Sequence, residues 1–200
     1  GYRNRLAVVM QSTIGDAQAS AFFDLLGQSR RPLIYAGGGV INASAADALN
    51  EFAQAFNLPA VTTLMGIGAV DTTQPLSMRM LGMHGTAFAN YAVDDCDFLI
   101  CVAARFDDRV AGVPSKFAPN AKAIAQFDID RAEINKVKRV QWSHVGMLGD
   151  ALRQLTAWGR AKGLSGKPYP EWHAHLRELK SRHAMNYDRN SALIQPYYAL

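Results

Sequence analysis

The chain is short of cysteine, has no long apolar run and carries no strong excess of one charge. Cys96 and Cys101 are its only cysteines in 200 residues. That is too few for a disulfide framework and points to a reducing, cytoplasmic setting. No stretch approaches the roughly 20 uninterrupted apolar residues of a membrane helix. The run Leu6–Met10 is too short for a signal peptide, and no small-residue cleavage site follows it. Basic residues exceed acidic ones by only 21 to 17, a net charge of +4. The clusters at Arg3/Arg5, Arg30/Arg31, Lys136/Lys138/Arg139 and Arg177 to Arg189 form no stripe interleaved with aromatics, so they read as solvated surface and not as a nucleic-acid interface. His173, His175 and His183 lack a Cys or carboxylate at zinc spacing, and no metal site is expected. GxSxG and GxxxxGK[ST] are absent too.

What is present is an ordinary globular balance, 49% hydrophobic and 19% charged, with a mean hydropathy of −0.07. It excludes a disordered chain, a collagen and a coiled coil. Short strands, apolar on both faces, alternate with helical stretches. Strands are predicted at 32–36, 60–63, 97–103 and 122–127, with a weaker one at 143–147 and an extended segment at 6–10. Helices are predicted at 45–57, with Asn42 or Ser44 as cap and Leu49, Phe52, Ala53 and Phe56 on one face, and at 84–95, 151–162 and 171–183. Apolar strands separated by helices imply an α/β domain: a doubly wound, mostly parallel sheet with helices on both faces. Ligands of such sheets sit beyond the carboxyl ends of the strands, so the loops after strands are where chemistry is sought.

Those loops are distinctive. Ala36-Gly37-Gly38-Gly39 follows a strand and precedes a helix, which suits close backbone approach to a ligand, although a tight turn without ligand uses such glycines as well. Thr62-Thr63-Leu64-Met65-Gly66-Ile67-Gly68 lies at the end of the second strand, where hydroxyls and glycines suit a cofactor groove; its alternative is a plain strand exit. Leu81-Gly82-Met83-His84-Gly85-Thr86 places a Met–His pair between glycines in a loop, where core packing needs neither. Ala103-Ala104-Arg105-Phe106-Asp107-Asp108-Arg109 sets four charges at the end of the most apolar strand. Arginine there suits a phosphate, and the alternative is a local Arg–Asp ion-pair cluster. Asp128-Ile129 puts an acid where a ribose hydroxyl finds an acceptor. Past Asp150 a helix leads into the linker GLSGKPYP and a further helix, and residues 194–200 read as a helix cut short, so the expectation is a piece of a longer protein.

The run LGMHGTAFANYAVDDCDFLICVAARFDDRVAG, with AGGG before it and FDIDRAEINKVK after it, resembles the central domain of the acetohydroxyacid (acetolactate) synthase family of thiamine-diphosphate-dependent enzymes. The resemblance is close over residues 31–150 and looser beyond. It implies a Rossmann-like middle domain of a three-domain enzyme that condenses two 2-ketoacids, pyruvate with pyruvate or 2-ketobutyrate, with decarboxylation in branched-chain amino-acid biosynthesis. It also implies FAD held in extended form without net redox turnover, by Gly37, Gly38, Gly39, Thr63, Leu64, Leu81, Gly82, Met83 and His84. The same groove would continue through Ala103, Ala104, Arg105, Phe106, Asp107, Asp128, Ile129, Gly149 and Asp150. Met83, Asp108 and Arg109 match the mouth of the family's substrate channel, where its herbicides also bind, and Arg109 would meet a 2-ketoacid carboxylate.

Residues 1–30 would then be a lead-in segment and first helix, 31–163 the central FAD- or nucleotide-binding-type domain, and 164–200 a linker, a helix and the start of the next domain. Ala103 departs from the family's usual glycine, and the family's FAD arginine is not assignable to Arg3 or Arg5. The family's catalytic glutamate and its GDG…NN motif for magnesium and diphosphate belong to the flanking domains. Hence thiamine diphosphate and Mg²⁺ would be bound outside this chain, which holds no catalytic residue and is expected to be inactive alone. In the whole enzyme a homodimer or tetramer and a regulatory small subunit are implied. The alternatives are the central domain of another thiamine-diphosphate carboligase or decarboxylase, which binds ADP or nothing, and a non-catalytic nucleotide-binding module.

Overall fold

The computed structural model describes residue 10, residues 12–184 and residues 190–193. Apart from Met10, the extended segment read at 6–10 lies outside the described residues, as do Arg3, Arg5 and the turn read at 194–200.

Six strands form one sheet: β1 (Pro32–Ala36), β2 (Ala60–Thr62), β3 (Ser77–Met80), β4 (Phe98–Val102), β5 (Ala123–Asp128) and β6 (Trp142–Val145). Their order is β3-β2-β1-β4-β5-β6 and every neighbouring pair is parallel. The four strongest strand predictions and the weak one at 143–147 all fall on strands. All five residues of both β1 and β4 are buried, as expected where helices cover both faces. β3 is an addition. Only three residues of β2 face its four, so the register shifts between Ala60↔Ser77 and Thr62↔Met80. Arg79, within the irregular part, is left-handed at φ +62°.

The helices are α1 (Asp16–Gln28), α2 (Gly39–Asn42), α3 (Ala46–Ala55), α4 (Ala87–Asp95), α5 (Asp108–Ala111), α6 (Leu148–Ala161) and α7 (Pro170–Arg182). The step from β1 to β2 and the step from β3 to β4 run in opposite directions, so right-handed crossovers put α3 and α4 on opposite faces. On the α3 face, α1 buries Ala19, Phe22, Phe23 and Leu26 at helical spacing. Phe22 stands at the centre of an aromatic group, its ring 5.1 Å from Trp142 and 5.9 Å from both Phe52 and Phe98. Truncating such a ring typically costs about 3–5 kcal/mol. The predicted face of α3 holds, with Leu49, Phe52 and Phe56 buried. Its cap does not. Asn42 ends α2, Ser44 is left-handed at φ +49°, and the residue preceding α3 is Ala45, which offers no capping side chain.

α6 begins at Leu148, three residues earlier than predicted, and stacks Trp158 on Phe23 at 5.3 Å. The linker after it hugs the domain. Lys167 Nζ donates to the carbonyls of Gly27 and Ser29, and Asn57 Nδ2 donates to that of Lys167. α7 starts with Pro170, whose missing N–H and fixed φ suit a first helical turn. It buries Trp172, whose indole donates to Pro32 O at 2.9 Å. Both cysteines are buried, and burial pushes their thiols well above the ordinary range. Among the described residues, no helix is long and apolar enough to cross a membrane.

Candidate functional site

Because all six strands run the same way, their six exits lie on one edge, and the chain order reverses there between β1 and β4. At that switch point the two exits touch. Gly37 N donates to Val102 O (2.9 Å) and Gly39 N to Ala103 O (3.2 Å). A β-carbon on Gly37 would overlap Ala103 O and the Cα of Ala104. One on Gly39 would stand 2.6 Å from Ala103 Cβ, and one on Gly38 2.7 Å from Met65 Cβ. The chain's own contacts therefore account for the three glycines, Gly37 and Gly39 at the crossing with β4 and Gly38 against the turn after β2, and these contacts set the exits of β1, β2 and β4 side by side. Ala103 completes the crossing in a left-handed conformation, φ +47°.

Buried groups fix the loop after β4 from below. Tyr35 donates its hydroxyl to Arg105 O at 2.7 Å, and its ring packs between Phe106 and Phe117. Burial pushes that hydroxyl far up, with smaller contributions from Cys101 and Asp107, so it stays a donor. Cys101 Sγ contacts Ala104 O at 3.1 Å. Ala104 and Phe106 are buried and offer a ligand only their backbone, whereas the side chains of Arg105 and Asp107 face outward. Asp107 starts α5: its Oδ1 accepts from Val110 N (3.2 Å) and its carbonyl from Ala111 N (2.7 Å). Among the described residues neither Arg105 nor Asp107 joins an ion pair. Asp108 and Arg109 open α5, and their side chains lie outside the described residues.

After β2, Thr63 Oγ1 accepts from Gly66 N at 3.1 Å and closes a tight turn that leaves Leu64 67% and Met65 75% exposed. After β3, Leu81 N prolongs the ladder onto Thr62 O (3.1 Å), and the Leu81 side chain is buried. Gly82 follows at φ +94°, a conformation glycine adopts without strain. Met83 is then 80% exposed and His84 is exposed beside it. The helix predicted from residue 84 begins at Ala87, because Thr86 Oγ1 caps it through Ala89 N (3.2 Å).

On the far side of the switch point, Asp128 is half-buried. Burial pushes its carboxyl up, and its Oδ1 accepts from Asp130 N at 2.9 Å. Ile129 beside it is 57% exposed. Gly149 and Asp150 lie in the first turn of α6, where Asp150 pairs with Arg153 at 2.7 Å. Both partners are largely exposed, so that pair contributes at most about 1 kcal/mol.

Three side chains at this edge were not foreseen from the sequence: Tyr35, Asn90 and His144. Asn90 bonds to Gly82 through both its amide N and its carbonyl O. His144 is buried near the end of β6, and burial lowers its imidazole and keeps it neutral. Its Nε2 has no hydrogen-bond partner among the described residues. Two further histidines serve α7: His175 Nε2 lies 2.7 Å from Asp95 Oδ2, and His173 Nε2 lies 3.0 Å from Asn57 O. Among the described residues no three His, Cys, Asp or Glu side chains are grouped to hold a metal.

The edge is thus a shallow row of loops with outward apolar side chains (Leu64, Met65, Met83, Ile129) and one half-buried acid. Comparison with known proteins agrees with the motifs. The family described as "thiamine pyrophosphate enzyme, central domain" matches residues 19–155. The acetolactate synthase isozyme 2 large subunit of Escherichia coli K12 is 42% identical over 88% of this chain and 30% of its own length. The large subunit of Parasynechococcus marenigrum is 51% identical over 70% of this chain and 22% of its own, and a chloroplastic acetolactate synthase of Zea mays 41% over 88% and 27%. The chain therefore spans less than a third of the relatives that it matches.

Proposed function

Since the chain belongs to the thiamine pyrophosphate enzyme family, as its central domain, we propose that it is the FAD-holding middle domain of an acetolactate synthase large subunit. The observation that carries this reading is the gathering of six loops on one edge, with Leu64, Met65, Met83 and Ile129 turned outward. A long, partly apolar ligand lying across the switch point would cover these side chains and remove their surface from water.

The residues fit such a ligand. The loop 37–39 and the turn 63–66 would run beside it, and Met83 and His84 would flank it. The loop 103–107 would meet its polar middle, with Arg105 available to a phosphate. The Asp128 carboxyl suits a ribose hydroxyl, and Gly149 stands where the free amides of the α6 N-terminus favour an anion. Asp108 and Arg109 start the helix beside this groove, a position that suits the mouth of a channel for a 2-ketoacid.

Thiamine diphosphate with Mg²⁺, held by domains outside this chain, would supply the decarboxylation of pyruvate and the carbon–carbon bond formation with a second 2-ketoacid. This chain's residues bind and orient FAD at the channel. In the whole cytoplasmic enzyme they would act within a homodimer or tetramer and beside a regulatory small subunit, in branched-chain amino-acid biosynthesis.

Flavin fluorescence tests the assignment. FAD added to the full-length protein is expected to be quenched stoichiometrically and to resist displacement by excess ADP. A protein that binds ADP but leaves FAD fluorescence untouched would belong with the other thiamine-diphosphate carboligases instead.

A further inference from the structure

Four ties hold the loop after β3, besides the longer contacts of Thr86 Oγ1 with Met78 O and Met80 O. Leu81 N bonds to Thr62 O, Gly85 N to Gly82 O (3.0 Å) and Thr86 N to Met80 O (2.8 Å). The fourth tie is a side chain. Asn90, on the first turns of α4, accepts from Gly82 N at 2.8 Å through Oδ1 and donates Nδ2 to Gly82 O at 3.0 Å. Its carboxamide thus pairs with both backbone groups of one residue, as a neighbouring strand would. Gly82 at φ +94° turns the chain outward immediately before the exposed Met83 and His84. The Gly85 bond closes the turn from within the loop, whereas Asn90 holds Gly82, the residue from which the two exposed side chains project, to α4.

We infer that Asn90 is the positioning residue that presents Met83 and His84 to the ligand edge. Its role in cofactor affinity rests on the FAD reading above. Asparagine is the residue type the clamp needs. Aspartate can accept from Gly82 N but has no donor for Gly82 O, and alanine reaches neither group, so the first weakens and the second removes the hold of α4 on Gly82.

A matched control exists in Asn50, which makes similar bonds, Nδ2 to Ala46 O (2.8 Å) and to Ala69 O (3.0 Å), on α3 instead of at this loop. In the full-length protein, Asn90→Ala is expected to raise the FAD dissociation constant at least about tenfold and to blur the structured visible band of bound flavin. It is also expected to speed exchange of the Gly82 and Gly85 amides at least about tenfold, with Asn90→Asp intermediate. Asn50→Ala is expected to lower the melting temperature comparably and to change neither flavin affinity nor exchange in residues 81–86. Unchanged exchange at Gly85 in Asn90→Ala, or an equal loss of flavin affinity in Asn50→Ala, would overturn the inference. If the unaltered protein holds no FAD, the reading of the edge fails by itself. The clamp is then still decided, for or against, by Gly85 exchange and by the rate of Met83 oxidation with peroxide.

Discussion

At the amino edge of the sheet, Asp97 accepts from Ser29 Oγ (2.5 Å), Arg31 N (2.9 Å) and Arg30 N (3.0 Å), while its backbone carbonyl receives Lys122 N (2.8 Å). One residue thereby ties together the starts of β1, β4 and β5. At the carboxyl edge the same strands part through bare backbone contact between Gly37 and Ala103, and apolar side chains face outward. The amino edge gathers its polar groups on one residue that joins three strands, whereas the carboxyl edge fixes each loop separately and leaves Arg105 and a row of apolar side chains facing outward. Stability is concentrated at one edge and strain with exposure at the other, a division expected of a domain that holds a ligand at its strand ends.

The sharpest way to break this comparison is Gly37→Ala. Its β-carbon would meet the backbone of Ala103 and Ala104, neither of which can rotate away. A loss of about 3 kcal/mol or more is expected in urea unfolding, together with weaker flavin binding. If the variant is as stable as the parent, the two exits are free to separate and the rigid crossing does not exist.

Asp97→Ala probes the other edge and is expected to cost about 2 kcal/mol at pH 7, because three donors lose their acceptor. The loss should come with flavin affinity intact, which separates the two edges. Burial alone would raise the Asp97 carboxyl, but hydrogen bonds from Ser29, Arg30 and Arg31 and the Arg31 charge outweigh it and hold it below the ordinary range. Its stabilisation is therefore present above the unfolded value of about 3.9 and is lost as pH falls through the lower folded value. Unfolding curves of parent and variant should converge toward pH 2; a constant gap would show that the ionised form is not what matters.

The smallest effect is expected at Ala103→Gly. Relief of the left-handed alanine, about 1 kcal/mol, is offset by the greater freedom of glycine in the unfolded chain. The net change should lie within about 0.5 kcal/mol by the same urea measurement. A clear loss would mean that the Ala103 methyl stabilises the crossing instead of straining it.

What the sequence made legible follows from what a pattern can carry. β1 and β4 are announced by apolar runs, since a parallel strand buried on both faces has few polar positions to interrupt it, and β5 shows the same pattern broken once by the buried Gln126. β3 is not so announced, because it is four residues long, includes an exposed arginine and is irregularly paired. The motif loops were legible as loops, and the sheet order puts them on one edge. The reason for the AGGG glycines was not, since their need arises from Ala103 and Met65, remote in sequence. Tyr35 and Asn90 stayed hidden for a related reason: their partners are backbone groups, Arg105 O and Gly82, which carry no residue-type signal. The ion-pair alternative for the loop after β4 does not hold for Arg105 and Asp107, which join no ion pair among the described residues, Asp107 capping α5 instead.

The two cysteines give the fold an internal reporter. Cys96 closes α4 and Cys101 lies in the middle strands of the sheet, and both thiols are sealed and protonated. A thiol reagent finds no target in this chain while the sheet is closed, and reaction waits for the core to open. The time course of labelling at these two positions is then a clock for opening of the sheet, one that any cofactor gripping its carboxyl edge would slow.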